Sequence, residues 1–135
     1  MSKVIGIIGT RRRNTDDDMT KVFNVFIKVF EKGDTICSGL CPKGGDRFAV
    51  AFADLLKCET LWFPANWSEY GKAAGFIRNA DIAKNSDILI ACVSGDRKGG
   101  TEDTIKKFVK IHGIDNLLIV GPLTEKIKGV SYETE

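Results

Sequence analysis

The sequence predicts an α/β domain: a three-layer Rossmann-like fold with a mainly parallel sheet of about five strands. Two observations carry that expectation. Short apolar runs alternate along the chain with longer segments whose apolar residues recur at helical spacing. Such alternation implies right-handed crossovers that lay helices on both faces of a parallel sheet. Four predicted strands also lead into glycine- or arginine-bearing segments, namely Gly9-Thr10-Arg11, Ser38–Asp46, Phe63–Asn79 and Ser94–Thr101. Loops leaving the carboxyl ends of parallel strands converge on one rim, where open sheets of this kind bind ligands.

Val4-Ile5-Gly6-Ile7-Ile8 is an apolar run ending at Gly9, the pattern of a buried parallel strand. A helix follows, with Met19, Val22, Phe23, Phe26, Ile27 and Phe30 marking its apolar face and Gly33 ending it. Thr15 or Asp16 is its cap, and Asp16-Asp17-Asp18 suit the positive end of its dipole. Thr35-Ile36-Cys37 is a brief second strand, and Phe48, Phe52, Leu55 and Leu56 define a second helix. Thr60-Leu61-Trp62-Phe63 is a third strand halted by Pro64. The third helix is expected over Phe76–Lys84, with Arg78 and Asn79 in its first turns. Arginine is unfavourable near the positive end of a helix, so its placement there hints at an anionic partner. Asp87–Cys92 is the fourth strand, Thr101–Ile111 the fourth helix and Leu117–Val120 the fifth strand. The tail from Thr124 adds an edge strand through Gly129–Tyr132.

A length of 135 residues fits one domain over residues 1–135, with no repeat, linker or low-complexity segment. A formal charge of +2 gives no broad drive toward nucleic acid or membrane. No apolar run approaches the roughly 20 residues that span a bilayer, and no signal-peptide pattern precedes Val4, so a cytoplasmic location is expected. Cys37 and Cys92 fall in predicted strands, where reduced cysteine behaves as a small apolar residue. Cys37 and Cys41 lack the second pair or spaced histidine of a zinc knuckle. No metal and no cofactor are expected. The single histidine, His112, extends the Ile105, Phe108, Val109 stripe and is expected to be a satisfied residue near a helix end.

Each loop has a structural and a functional reading. Gly9 lets backbone approach a ligand, and Thr10 and Arg11 suit phosphate oxygens; the alternative is a tight turn before a solvated basic run. Three consecutive arginines cannot share one pocket, so Arg12 or Arg13 is expected to face solvent. In the second loop, Ser38, Gly39, Gly44 and Gly45 are candidates to expose N–H groups to an anion at a helix N-terminus. Asp46 is either that helix's cap or a ligand to a ribose hydroxyl. In the fourth, Ser94, Gly95, Gly99, Gly100 and Thr101 repeat the arrangement. Neither loop is a P-loop, because no Gly-Lys-Ser/Thr ending follows, and no Gly-x-Gly-x-x-Gly follows the first strand. Trp67 and Tyr70 either stack on a base or seal the sheet edge.

Taken in order, Gly9-Thr10-Arg11, Gly44-Gly45-Asp46-Arg47, the segment from Phe63 to Asn79 and Gly99-Gly100-Thr101 resemble the motifs of the SLOG superfamily. Within it they are most similar to the small YspA-like bacterial and phage branch of unknown function. The likeness spans roughly residues 4–112. It implies binding of a nucleotide or nucleotide-derived molecule at the rim by a sensor or sequestering module. It also implies self-association as a dimer or higher assembly. Some relatives are phosphoribohydrolases whose motif continues to a glutamate, and that position here is Thr104. A hydrolase would have to recruit Glu102 or Asp103 as its carboxylate, with Arg78 at the family's arginine position. DNA-processing relatives suggest a third reading, single-stranded DNA held by Arg11–Arg13 with Trp67 or Tyr70 stacking, which the near-neutral charge disfavours.

Overall fold

Five strands form one all-parallel sheet in the order β3-β2-β1-β4-β5, in a computed structural model that describes residues 2–122. They are β1 (Val4–Gly9), β2 (Thr35–Ser38), β3 (Glu59–Trp62), β4 (Ile88–Cys92) and β5 (Leu117–Val120). The helices are α1 (Asp16–Val29), α2 (Gly45–Leu56), the short α3 (Trp67–Tyr70), α4 (Ala74–Asn85) and α5 (Gly100–His112). A 3-10 turn over Gly71–Ala73 joins α3 to α4. The edge strand expected beyond Thr124 lies outside the described residues.

Strand residues alternate between two cores, which makes the three layers. Ile5, Ile7, Ile36 and Ile90 face α1 and α2 and pack on Val22, Phe26, Phe48 and Phe52. Leu89, Ala91 and Val93 face the other way, onto Ile82 and Ala83 of α4 and Ile105 and Phe108 of α5. Phe26 and Phe52 stack at 5.3 Å between α1 and α2, with the Phe23 ring meeting Phe52 edge-on at 5.1 Å. Ile27 and Leu55 lie off this face and are 44% and 67% exposed. Each directly follows or precedes core positions, where the 100° step per residue carries it round to solvent.

Strand order places the carboxyl end of the sheet at the centre of the problem. The chain runs outward from β1 to β3, then returns to lay β4 on the other side of β1. The reversal between β1 and β4 is the topological switch point, and the helices change faces there. α1 begins with a reciprocal capping box. Asp18 N–H donates to Thr15 Oγ1 at 3.1 Å, and Thr15 N–H donates to Asp18 Oδ2 at 3.3 Å. Thr15, not Asp16, is therefore the cap. α4 starts earlier than its apolar pattern suggests, at Ala74. Arg78 consequently falls in the second turn, where the helix dipole has faded, and its placement carries no message about an anion on that ground.

His112 contacts the Ala83 carbonyl through Nε2 at 2.9 Å, and its ring lies 4.7 Å from Phe108. All four cysteines are unpaired thiols, and burial pushes Cys37 up to about 12 and Cys92 up to about 11. Among the described residues, no helix is long and apolar enough to cross a membrane.

Glycine sets how closely α2 approaches β1. A Cβ on Gly45 would stand 2.1 Å from Ile8 C and 2.3 Å from Gly9 N, and one on Gly9 would stand 3.0 Å from Gly45 N. Gly44 has φ +75° and sits against the Thr10 carbonyl, which a Cβ would meet at 2.5 Å. Backbone thus packs on backbone, with no side chain free to move aside. Gly45→Ala is expected to destabilise the protein by at least about 1–3 kcal/mol despite alanine's better helix propensity, seen as a lower midpoint in denaturant unfolding. An unchanged midpoint would contradict this packing.

Candidate functional site

The carboxyl ends of the strands open into a cavity of about 740 Å³ beside the β1–β4 switch point, within the roughly 300–1,000 Å³ of small-molecule sites. Its wall draws on the ends of all four leading strands: Gly9 to Arg12 after β1, Gly39 to Pro42 after β2, Pro64 and Ala65 after β3, and Lys98 to Thr101 after β4. Arg78, Asn79 and Ile82 of α4 supply the floor on the α4–α5 side.

The three arginines after β1 divide into three roles. Arg13 is buried. Its Nη1 donates to Val93 O at 3.0 Å and Val120 O at 2.8 Å, and Nε donates to Asp18 Oδ1 at 3.0 Å. Arg13 Nη2 makes no well-angled hydrogen bond but lies 3.0 Å from Asp18 Oδ1, so its charge is balanced. The expectation that Arg12 or Arg13 faces solvent holds only for Arg12. Arg12 reaches across to the β4–α5 loop, where its guanidinium donates to Asp96, Ser94 Oγ and Lys98 O. That contact, with help from Ser94, holds the Asp96 carboxyl well below the usual carboxylate range. Arg11 is exposed, lines the cavity and makes no ion pair or hydrogen bond through its side chain among the described residues.

The β4–α5 loop delivers a bare helix N-terminus to the cavity. Gly99, at φ +115°, is the N-cap of α5 and offers no side chain, and no other side chain among the described residues caps that end. Thr101 lines the cavity but does not cap. The acidic residues of that first turn are drawn elsewhere. Glu102 accepts from Arg97 Nε at 2.7 Å and Nη2 at 3.0 Å, while Asp103 pairs with Lys107 and accepts from Asn79 Nδ2 at 3.1 Å. Neither carboxylate lines the cavity, whereas Thr104 does.

Arg78 is held in place by neighbours on two elements. Its Nε donates to Asn79 Oδ1 at 3.0 Å and its Nη1 to Gly39 O at 3.3 Å. A Cβ on Gly39 would stand 2.5 Å from that Nη1, so glycine is what admits the guanidinium. Asn79 in turn donates to Gly100 O at 3.3 Å, fastening α4 to the start of α5. Leu40, beside Gly39, holds φ +61°, a left-handed conformation that a branched side chain rarely adopts.

Asp46 is not the α2 cap, which is Gly44. Its Oδ2 accepts from Cys41 N–H at 3.0 Å and its Oδ1 lies 2.7 Å from Ser38 Oγ, which is also 2.6 Å from Ile7 O. Burial pushes the carboxyl above its ordinary value, and contacts with Ser38, Cys41 N–H and Arg78 only partly oppose this. Asp46 is thus a clip that folds the β2–α2 loop back on the sheet.

Of the residues singled out in the sequence, Gly9, Thr10, Arg11, Gly39, Asp46, Trp67, Arg78, Asn79, Gly99, Gly100 and Thr101 line the cavity. Ser38, Gly44, Gly45, Tyr70, Ser94 and Gly95 do not. The first three serve the β1–α2 packing and the Asp46 clip, Ser94 serves Arg12, and Tyr70 is 47% exposed on α3. Trp67 is 60% exposed at the cavity mouth. Arg12, Lys98 and Thr104 were not among the residues expected there, although Lys98 adjoins the glycine pair. No family model, curated protein or solved structure matches the chain.

Replacing Arg13 with methionine takes the guanidinium donor from Val93 O, leaves Val120 O with the Val93 N–H alone, and leaves Asp18 without its cation. A loss of about 3–5 kcal/mol in unfolding free energy is expected. Burial pushes the Asp18 carboxyl up, but Thr15 and Arg13 outweigh that and hold it below its ordinary value. Its contribution is therefore present above about pH 4 and lost as pH falls through the lowered value. The gap between Arg13→Met and the parent protein should narrow in acid, where Asp18 is protonated in both. Denaturant unfolding at a series of pH values checks this, and a gap that does not vary with pH would rule out the ion pair.

Proposed function

We propose that the rim cavity binds a phosphate-bearing, nucleotide-like small molecule and that the protein acts as its sensor or sequestering module. One observation carries the reading: the wall carries Arg11, Arg78 and Lys98, beside an Arg12 paired with Asp96, against the single carboxyl of Asp46, which burial biases toward its neutral form. The chain as a whole has a formal charge of only +2, so this concentration of positive charge is local. The uncapped start of α5 adds N–H groups and the positive end of a helix dipole at the same wall. Trp67 at the mouth supplies an aromatic face of the kind on which a base stacks. The motif likeness to the SLOG superfamily points the same way.

Binding without turnover is the better-supported form of this reading. Cleavage of an N-glycosidic bond calls for a carboxylate beside the developing ribosyl cation. Glu102 and Asp103 are engaged with Arg97 and Lys107 outside the wall, and Thr104 stands where the phosphoribohydrolase motif carries glutamate.

Thermal unfolding against nucleotides, cyclic nucleotides, ADP-ribose derivatives and ribose phosphates tests the proposal. A ligand at about 100 times its Kd adds roughly 2.7 kcal/mol of stability, a plain shift. Arg78→Ala should weaken that ligand by about ten- to hundredfold, the worth of one or two hydrogen bonds to a charged group. Gly39→Ala should weaken it through displacement of the same guanidinium. Equal binding by both variants would defeat the pocket assignment, and release of free base from any bound nucleotide would replace binding by hydrolysis.

A further inference from the structure

The Ser38 hydroxyl poses a question of proton count. It has one hydrogen, yet its Oγ lies 2.6 Å from Ile7 O and 2.7 Å from Asp46 Oδ1. A carbonyl oxygen can only accept, so the Ile7 contact uses the Ser38 proton. The 2.7 Å contact to Asp46 then needs a second proton, and the only group able to carry it is the Asp46 carboxyl. Two oxygens that close with no hydrogen between them would repel. The other half of the carboxyl fits the same assignment, because Oδ2 accepts from the Cys41 N–H, as the carbonyl oxygen of an acid does.

We propose that Asp46 is a neutral carboxylic acid in the ligand-free protein, donating from Oδ1 to Ser38, and that its ionisation would close Arg78 to anions. The guanidinium Nη1 stands 3.8 Å from Asp46 Oδ2, at ion-pair range but beyond hydrogen-bond range. With Asp46 neutral, Arg78 is fixed by Gly39 O and Asn79 Oδ1, both uncharged, and keeps its full charge for a ligand. With Asp46 ionised, a carboxylate in the cavity wall competes for that charge. The Ser38 proton is drawn from Ile7 O to Asp46 as well. Anion binding is therefore coupled to keeping a proton on Asp46.

The groups around Asp46 pull in both directions. Arg78 on α4 is the near cation and, with the Cys41 and Gly39 N–H groups, favours the ionised form, while Arg11, Arg12 and Lys98 share the cavity wall. Cys37 on β2, its thiol pushed up to about 12, stays uncharged, and Cys41 in the loop presents its N–H. Arg47, the next residue of α2, is turned to Asn14 through Nε and Nη2. Burial is the chief influence on Asp46 and favours the neutral form, and the raised carboxyl follows. The folded state then holds the proton more tightly than the unfolded chain does, so the neutral state is full at low pH and lost as pH rises through the raised value.

The effect on ligand affinity rests on the nucleotide reading given above, but the protonation does not. Carbon-13 detection of the Asp46 carboxyl carbon in the full-length, ligand-free protein, assigned by its absence in Asp46→Asn, reads the proton directly. The expected resonance is that of an acid, titrating with a midpoint above the ordinary value of about 3.9. The Arg78 Nε nitrogen should move with the same midpoint and hold still in Asp46→Asn. A midpoint at or below that ordinary value would overturn the proposal, as would an Arg78 signal indifferent to the Asp46 titration. Adenosine 5′-monophosphate titrated into both proteins then separates the two ideas. Asparagine mimics the neutral acid, so Asp46→Asn reports the phosphate's own ionisation near pH 6. Against that reference the parent protein should lose affinity by up to about tenfold per pH unit above the Asp46 midpoint. Identical slopes would refute the coupling. Failure of every nucleotide to bind either protein would remove the nucleotide reading, while the two resonances still decide the protonation.

Discussion

A buried guanidinium holds the strand-end rim of this fold together. At the carboxyl end of a parallel sheet the strands run out of partners, and a strand-end carbonyl that is buried there needs a donor. Arg13 Nη1 donates to Val93 O, just past the end of β4, and to Val120 O, at the end of β5, which also accepts from the Val93 N–H. Its charge is met by Asp18, the same residue that completes the capping box of α1. One side chain therefore ties the turn after β1 to two other strands and to the start of a helix. The consequence for the site is directional. With Arg13 turned down into the sheet, its neighbours diverge: Arg12 crosses to Asp96 and Ser94, and Arg11 remains at the cavity without a side-chain partner among the described residues.

Two helix N-termini meet the rim, and they are used differently because their glycines are used differently. At α2, Gly44 and Gly45 allow the chain to press against Ile8, Gly9 and Thr10, and Asp46 folds the preceding loop over the end. That end is filled by protein. At α5, Gly99 has open space where a Cβ would sit, and Gly100 has only Asn79 Nδ2 at 4.0 Å. Similar glycine-rich spellings thus give a packing joint in one case and an uncovered helix end in the other. The first helps fix β1 against α2, and the second leaves backbone N–H groups at the cavity wall.

Local periodicity made most of the architecture legible. The apolar runs marked all five strands, Leu117–Val120 with both bounds, and the apolar stripes marked the helices that cover the sheet. The four-residue α3 escaped because one turn has no periodicity, although Asn66 three residues before Glu69 is a capping signal, and Asn66 Oδ1 does accept from Glu69 N–H at 3.2 Å. Pairings across great sequence distance were not legible. Arg12 with Asp96 spans 84 residues, and nothing local distinguishes Arg12 from Arg13. Whether an arginine in such a run is buried depends on carbonyls that only the assembled sheet brings together. Asp103 with Lys107 was within reach, since i,i+4 pairs face each other on a helix. That spacing argues from sequence alone that Asp103 is committed to its own helix.

Charge at the cavity has a further consequence for chemistry. Arg11, Arg78 and Lys98 in one wall attract anions, and they also raise the energy of any cation formed among them. A ribosyl cation generated there would need a nearby carboxylate to offset that field. The wall's only carboxyl is Asp46, and its atoms are engaged with Ser38, the Cys41 N–H and the neighbourhood of Arg78. Freeing it for catalysis would release the β2–α2 loop, including Gly39, whose carbonyl holds Arg78. The arrangement that best positions a cation for a phosphate is thus the one that withholds the carboxylate from a sugar. Retention of an anionic ligand and cleavage of its glycosidic bond make opposing demands on the same few side chains, and of the two, binding is the role we propose for the wall.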